Sequence, residues 1–247
     1  MHRYAYRMHI EVLDYVFYAT TQVGRVYRTG PFIGNYALMY ALFREHYWRT
    51  EVPNYADVPW AVYREDLRRW DDRLYIFPAR PVEPTFRTVR QTFNTMEESY
   101  RLLRVRNSQM PDWGQAEVIA PESQFVTYVL STDAIPWRIR LIRLGKWWAA
   151  CRVILESALD TPEIRTARNV WIRAEPDRGR SRPVYLALED LNVQPYRVLG
   201  MVRSLPNTVV WDVHFQASLE IWVCRFSDER VTLPGLSAVR FAWKVQS

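Results

Sequence analysis

Apolar and polar residues alternate almost from the first position of the chain. Tyr4, Tyr6, Met8, Ile10 and Val12 alternate with Ala5, Arg7, His9 and Glu11, the period of two that predicts a strand with one buried face. An irregular stretch follows over residues 20–34, punctuated by Gly24, Gly30, Pro31 and Gly34 and carrying Arg25, Tyr27 and Arg28. Tyr36, Leu38, Met39 and Leu42 then fall at helical spacing behind Asn35, a residue type that caps helix N-termini. Strand, glycine-marked loop and helix in this order form the first half of a ferredoxin-like unit, so the expected class is α+β.

Residues 50–72 are mixed and acid-rich with Pro53 and Pro59, which reads as loop with at most a short helix. Residues 74–77 and 85–93 read as strands, separated by Pro78, Pro81 and Pro84. Over residues 94–120 the pattern weakens while Arg101, Arg104 and Arg106 accumulate. That is the composition of an arm-like insertion that projects from a sheet and grips nucleic acid. Three more strands are expected at 123–131, 137–144 and 149–159. Beyond Asp160 comes a C-terminal elaboration, 160–247, with a polar loop at 177–183 and aromatic-rich strands at 209–226 and 236–243 that are expected to close the sheet. The whole chain, 1–247, reads as one domain.

With 247 residues, 49% hydrophobic and 15% aromatic, the chain can bury a sizeable core. A net charge of +6 and a pI near 9.4 favour a polyanionic partner, and the modest excess suits an RNA in a groove better than a long naked duplex. Only Lys146 and Lys244 among the 33 basic residues are lysines. A bias so uniform reflects codon composition more readily than function, so the positions of the arginines carry more information than their number.

One position stands out. The run from Trp137 to Trp148 alternates Trp137, Ile139 and Leu141 with Arg138 and Arg140, which predicts a strand with those apolar residues buried and a cationic outer face. It ends at Gly145, flanked by Arg143, Lys146, Trp147 and Trp148. Glycine holds nothing away from a sugar-phosphate backbone, so Lys146 is the leading phosphate contact; at most one of the two indoles stacks on a base, and Trp147 is counted with Gly145 and Lys146 among the binding residues. The plainer reading of Arg138, Arg140 and Arg143 is the solvated face of an edge strand. For Arg25, Tyr27 and Arg28, backbone gripping from the loop after the first strand competes evenly with an ordinary surface loop.

The remaining chemistry is sparse. His2, His9, His46 and His214 show neither metal-ligand nor triad spacing, so no metal, cofactor or catalytic residue is expected. Gly24, Gly30 and Gly34 are too widely spaced for a phosphate loop. Glu122 ahead of a strand is read as orienting an arginine rather than as a general acid. Cys151 and Cys224 lie in apolar strand-like runs and read as buried hydrophobes of a reducing compartment. No signal-like stretch or run of about 18 apolar residues occurs, so a soluble cytoplasmic protein without membrane contact is expected.

Four blocks occur in a telling order: Leu13-Asp14-Tyr15-Val16-Phe17-Tyr18-Ala19-Thr20, Gly34-Asn35-Tyr36-Ala37-Leu38-Met39-Tyr40-Ala41-Leu42, Ile119-Ala120-Pro121-Glu122-Ser123-Gln124-Phe125 and Arg143-Leu144-Gly145-Lys146-Trp147. With Leu188-Glu189-Asp190-Leu191 and Leu205-Pro206 they span most of the chain and resemble the Csc-one family, the Cas-five-like subunits of the subtype I-D CRISPR effector complex. The resemblance implies a RAMP-superfamily fold, RNA-recognition-motif-like, with an arm-like insertion. It further implies a non-catalytic subunit that caps the 5′ handle of the crRNA, contacts the backbone and large subunits, and helps read the protospacer-adjacent motif (PAM) on target dsDNA. An alternative is the metal-independent CRISPR repeat endoribonuclease role that a Cas-five-like protein fills in another subtype, with Lys146 and His9 or His46 as its groups. A generic RNA chaperone would explain charge and aromatics but not the ordered blocks.

Overall fold

The computed structural model describes residues 3–18, 20–23, 26–43, 67, 69–94, 113–203 and 208–241. The alternating first segment is strand β1 (Tyr4–Val12), and it runs through the middle of a six-stranded antiparallel sheet. On one side it pairs with β10 (Ala149–Ser157), which in turn pairs with the edge strand β9 (Ile139–Leu144). On the other it pairs with β8 (Gln124–Ser131), which carries β4 (Leu74–Ile76) and the short β5 (Arg80–Pro81). The order is therefore β4-β8-β1-β10-β9. Met8, Ile10 and Val12 are buried in register with Leu155, Val153 and Cys151. Helix α1 (Asn35–Leu42) adds Leu38, Met39 and Leu42 to the same core. Each such side chain contributes roughly 1.5–3 kcal/mol by leaving water.

Asn35 does not cap this helix. Gly34 takes the cap position, and Asn35, the first helical residue, donates its amide to buried Asp190 at 2.8 Å and to the Tyr75 hydroxyl at 3.2 Å. Tyr75 and Tyr36 also donate to Asp190, at 2.8 and 3.0 Å. A carboxylate from the C-terminal half thus ties α1 to β4.

That C-terminal half forms its own eight-stranded sheet. Its strands are β11 (Glu163–Ala167), β12 (Val170–Pro176), β13 (Arg182–Pro183), β14 (Leu186–Ala187), β15 (Arg197–Val202), β16 (Val209–Phe215), β17 (Leu219–Arg225) and β18 (Glu229–Pro234). The main order is β11-β17-β18-β12-β16-β14, with β13 on β12 and β15 on β16. Hence, contrary to the sequence expectation, 209–226 does not close the first sheet but supplies two strands of a second. Residues 236–241 form a turn and an isolated bridge, Leu191 to Val239, instead of a strand. Their apolar signal reports burial: Phe241 packs against the rings of Tyr36 and Tyr75.

The two sheets share one continuous core cluster and are joined by a polar knot. Arg7, on the face of β1 opposite Met8 and Ile10, is 6% exposed. Its guanidinium donates to Glu156 of β10, to Asp228 in the β17–β18 turn and lies 3.1 Å from Glu229. Tyr128 of β8 donates to the same Glu229 at 2.7 Å. Burial opposes the charge on Arg7, but its bonds to Asp228 and Glu156 outweigh that and push its pKa further up.

A small third sheet sits at one end. The order is β2-β3-β7-β6, from β2 (Thr21–Val23), β3 (Val26–Arg28), β6 (Thr88–Asn94) and β7 (Trp113–Ile119), with β3 and β7 parallel. The expected irregular stretch at 20–34 therefore contains a short hairpin. The flanks of the expected arm pair from Thr88 with Ile119 to Asn94 with Trp113, while Arg25, Arg101, Arg104 and Arg106 lie outside the described residues. Strand makes up 54% of the structure and helix 6%, so the α+β expectation holds with sheet strongly dominant.

Candidate nucleic-acid interface

The basic run folds as β9 with its faces exchanged relative to the sequence expectation. Ile139 and Leu141 point outward, 59% and 73% exposed, while Ile142 and Leu144 are buried. Trp137 is only partly buried against the core. The phase is set by pairing with β10, where buried Cys151 and Ala149 face Ile142 and Leu144. Because side chains alternate, fixing those two inward turns Ile139 and Leu141 out.

Arg140 then falls on the inner side. Its guanidinium donates to the Leu42 carbonyl at 2.8 Å and lies 5.0 Å from the Trp137 ring, a cation placed at the negative end of α1. Arg140 thus serves packing. Arg138 is exposed beside a 420 Å³ cleft that it lines with Trp137 and Glu156, about 20 Å of strand away from Gly145.

At the other end of β9 the chain turns through Gly145 (φ 72°). A Cβ there would lie 2.6 Å from the Phe17 carbonyl oxygen, so the open side of the glycine is filled by the protein's own backbone and not by a ligand. Lys146 donates its amide to that oxygen at 2.9 Å, and the Trp148 amide closes the turn on Gly145 at 3.2 Å. The two indoles part as expected. Trp147 packs on Phe17 with ring centroids 4.9 Å apart, whereas Trp148 (φ 56°) is 48% exposed. Trp147, the indole expected to bind, is thus taken up by packing on Phe17, and Trp148 is the exposed one of the pair.

Phe17 also brings in the second expected group. It is buried with Ala116 and Val118, and Tyr27 and Trp147 pack against this small cluster. The β9–β10 turn and β3 thus converge at one end of the first sheet. Arg28 reaches Glu117 at 3.5 Å across the parallel pair. Arg143 donates to the Trp148 carbonyl at 3.2 Å and is otherwise exposed. The Lys146 side chain is exposed and meets no carboxylate among the described residues, and desolvation by its neighbours lowers its pKa. A cation without a counter-ion beside an exposed indole is a ready contact for phosphate and base.

Glu122 (φ 67°) binds Arg87 at 2.9 Å and is exposed, which matches the orienting role read from the sequence. Ser123 beside it is buried and bonds both the amide and the carbonyl of Arg87, so this string is the turn that carries β7 into β8. Cys151 and Cys224 are free and buried, and burial pushes both thiols up to about 12. His9 is half-exposed, 3.7 Å from Glu156, and His46 lies outside the described residues. Among the described residues no three His, Cys, Asp or Glu side chains come together to hold a metal, and no helix is long and apolar enough to cross a membrane.

Among curated proteins none matches this chain. The family described as type I-D CRISPR-associated protein Cas5/Csc1 matches residues 3–241. That span takes in both large sheets, the Gly145 turn and the Asp190 network, not the motif blocks alone. Matched across nearly its whole length, the chain belongs to the type I-D CRISPR-associated Cas5/Csc1 family.

Proposed function

We propose that the chain is the non-catalytic Cas5 subunit that caps the 5′ handle of the crRNA in a type I-D effector complex, contacts the backbone and large subunits, and assists PAM recognition on target dsDNA. The observation that carries this reading is the gathering of Tyr27, Trp147 and the Lys146 backbone about Phe17, which fixes the turn that carries the exposed Lys146 and Trp148 next to β3. The family supplies the setting; this surface supplies the chemistry. The strand order β10-β1-β8-β4, with α1 following β1, supports the ferredoxin-like, RNA-recognition-type reading of the first sheet. Where such a unit would carry its second helix, between β8 and β10, this chain carries β9. The edge strand and its turn thus take the place of a helix.

For the Lys146 and His9 pair, geometry supports the non-catalytic reading. His9 faces Ile154, five residues along β10 from the turn side of Ala149, which is roughly 17 Å of strand. A general base must reach its proton within hydrogen-bond distance or through one water, and Lys146 and His9 do not share such a site.

The test is the complex reconstituted with its crRNA. Lys146→Ala combined with Arg143→Ala should weaken crRNA or target binding. It should also flatten the salt dependence, by about 0.7 in log-log slope for each single-strand phosphate that is no longer neutralised. Unchanged affinity and unchanged slope would reduce the turn to a structural feature.

A further inference from the structure

Three loops of the C-terminal sheet enclose a second polar cleft, far from the Gly145 turn in sequence. The β11–β12 turn supplies Arg168 and Asn169 (φ 51°), the segment entering β15 supplies Gln194 and Tyr196, and the β16–β17 turn supplies Gln216 and Ser218. The cleft is open to solvent and holds about 660 Å³. No carboxylate lines it. Three side-chain amides, each both donor and acceptor, face a space whose one charge is a guanidinium.

Tyr196 stands at the rim, 69% exposed, with its backbone anchored to the His214 carbonyl at 2.9 Å. Behind it the rings continue. His214 lies edge-on to Tyr196 with centroids 6.0 Å apart and tilted against Trp171 at 4.9 Å, and the Arg173 guanidinium sits 4.8 Å over Trp171. Cross-strand pairing of Trp171 with His214, and of His214 with Arg197, holds the row on one face of the sheet. Arg168, Arg173 and Arg197 meet no carboxylate among the described residues.

We infer that this cleft takes an unpaired nucleotide of a single-stranded nucleic acid, at a second site apart from the Gly145 turn. Nucleobase edges present donors and acceptors together, which the amides of Asn169, Gln194 and Gln216 match. The exposed Tyr196 ring offers a stacking platform, and Arg168 a bidentate phosphate contact. An acidic or apolar peptide would need a cluster of cations or a hydrophobic floor here, and the cleft has neither. The assignment rests on the reading of the chain as a nucleic-acid-binding subunit and adds to it a place and a ligand class.

The test uses the full chain and ten-nucleotide fluorescein-labelled oligouridine RNA and oligothymidine DNA, followed by anisotropy and by ultraviolet crosslinking. Tyr196→Ala should weaken binding by about tenfold or more, and Tyr196→Phe, which keeps the ring, should restore it. Arg168→Ala should weaken it too and lower the salt dependence. The stronger of the RNA and DNA arms names the strand. Equal affinity for Tyr196→Ala and the unaltered chain overturns the site, as does loss of a protein subunit from the complex with oligonucleotide binding unchanged. In the assembled complex, crosslinks at Lys146 to Trp148 with none at Tyr196 would overturn this cleft and leave the proposed function standing; crosslinks at neither would overturn both.

Discussion

The amide of Lys146 donates to the backbone carbonyl of Phe17 at 2.9 Å, and it is this bond that pins the cationic turn to the aromatic cluster on which Tyr27 and Trp147 rest. Its neighbour Gly145 is required twice over, by φ 72° and by the 2.6 Å approach of the Phe17 oxygen to where a Cβ would stand.

Gly145→Ala should therefore lose about 1–2 kcal/mol from the left-handed backbone alone, and more because the atom it meets is backbone and cannot swing aside. Chemical denaturation checks the stability. Because the same change displaces Lys146, crRNA binding by the folded variant should fall as well. A variant with unaltered stability would mean that the turn relaxes freely and that Phe17 does not hold it.

The knot about Arg7 gives a pH dependence whose sign is fixed. Burial of Glu156 alone would raise its carboxyl, but hydrogen bonds from Arg7 and Ser227 outweigh burial and hold it below its ordinary 4.5. Desolvation and the nearby Arg7 charge hold His9 below its ordinary 6.5. Both groups bind protons less readily in the folded chain than in the unfolded one, so both contribute stability that is present above the ordinary value and is lost as the pH falls through the folded value. Thermal midpoints should decline on acidification in two stages, first below 6.5 and again below 4.5. Arg7→Met should cost on the order of 3–5 kcal/mol by leaving the buried Glu229 carboxylate without its cation, and should shrink the second stage to what the Ser227 hydrogen bonds sustain.

Asp190 makes the complementary case on the helix side. Asp190→Ala removes the acceptor shared by Asn35, Tyr36 and Tyr75. Leaving buried donors unsatisfied costs about 1–3 kcal/mol each, so a loss of about 3 kcal/mol or more is expected in urea unfolding. Asp190→Asn, which keeps an oxygen acceptor, should lose less. Equal loss from both variants would mean that the charge, not the acceptor, holds the helix.

These networks mark where the sequence stops being readable. The period of β1 is legible because its inward residues meet one continuous apolar core. The phase of β9 is not, since Trp137, Ile139 and Leu141 alternate as well as Ile142 and Leu144 pair with β10, and register decides between them. Asn35 reads locally as a cap because its true partner lies 155 residues away. Charge and loop position single out Lys146 and Tyr27 separately, yet nothing local tells that Phe17 gathers them. Trp171, Tyr196 and His214 leave no joint signal, because cross-strand neighbours in the second sheet are distant in the chain.

The final prediction concerns catalysis. Of the alternative nuclease groups, Lys146 at the β9–β10 turn and His9 on β1 opposite Ile154, 3.7 Å from Glu156, are separated, while His46 lies outside the described residues. A positioned general base gives typically about a hundredfold or more, so a ribonuclease built on either group would show a large loss on its removal. The purified chain should leave CRISPR repeat RNA intact with and without divalent cations, while the complex containing it binds target DNA through the guide. Site-specific repeat cleavage by the isolated chain, abolished by Lys146→Ala or His9→Ala, would make it a processing enzyme and require these side chains to meet in a conformation other than this one.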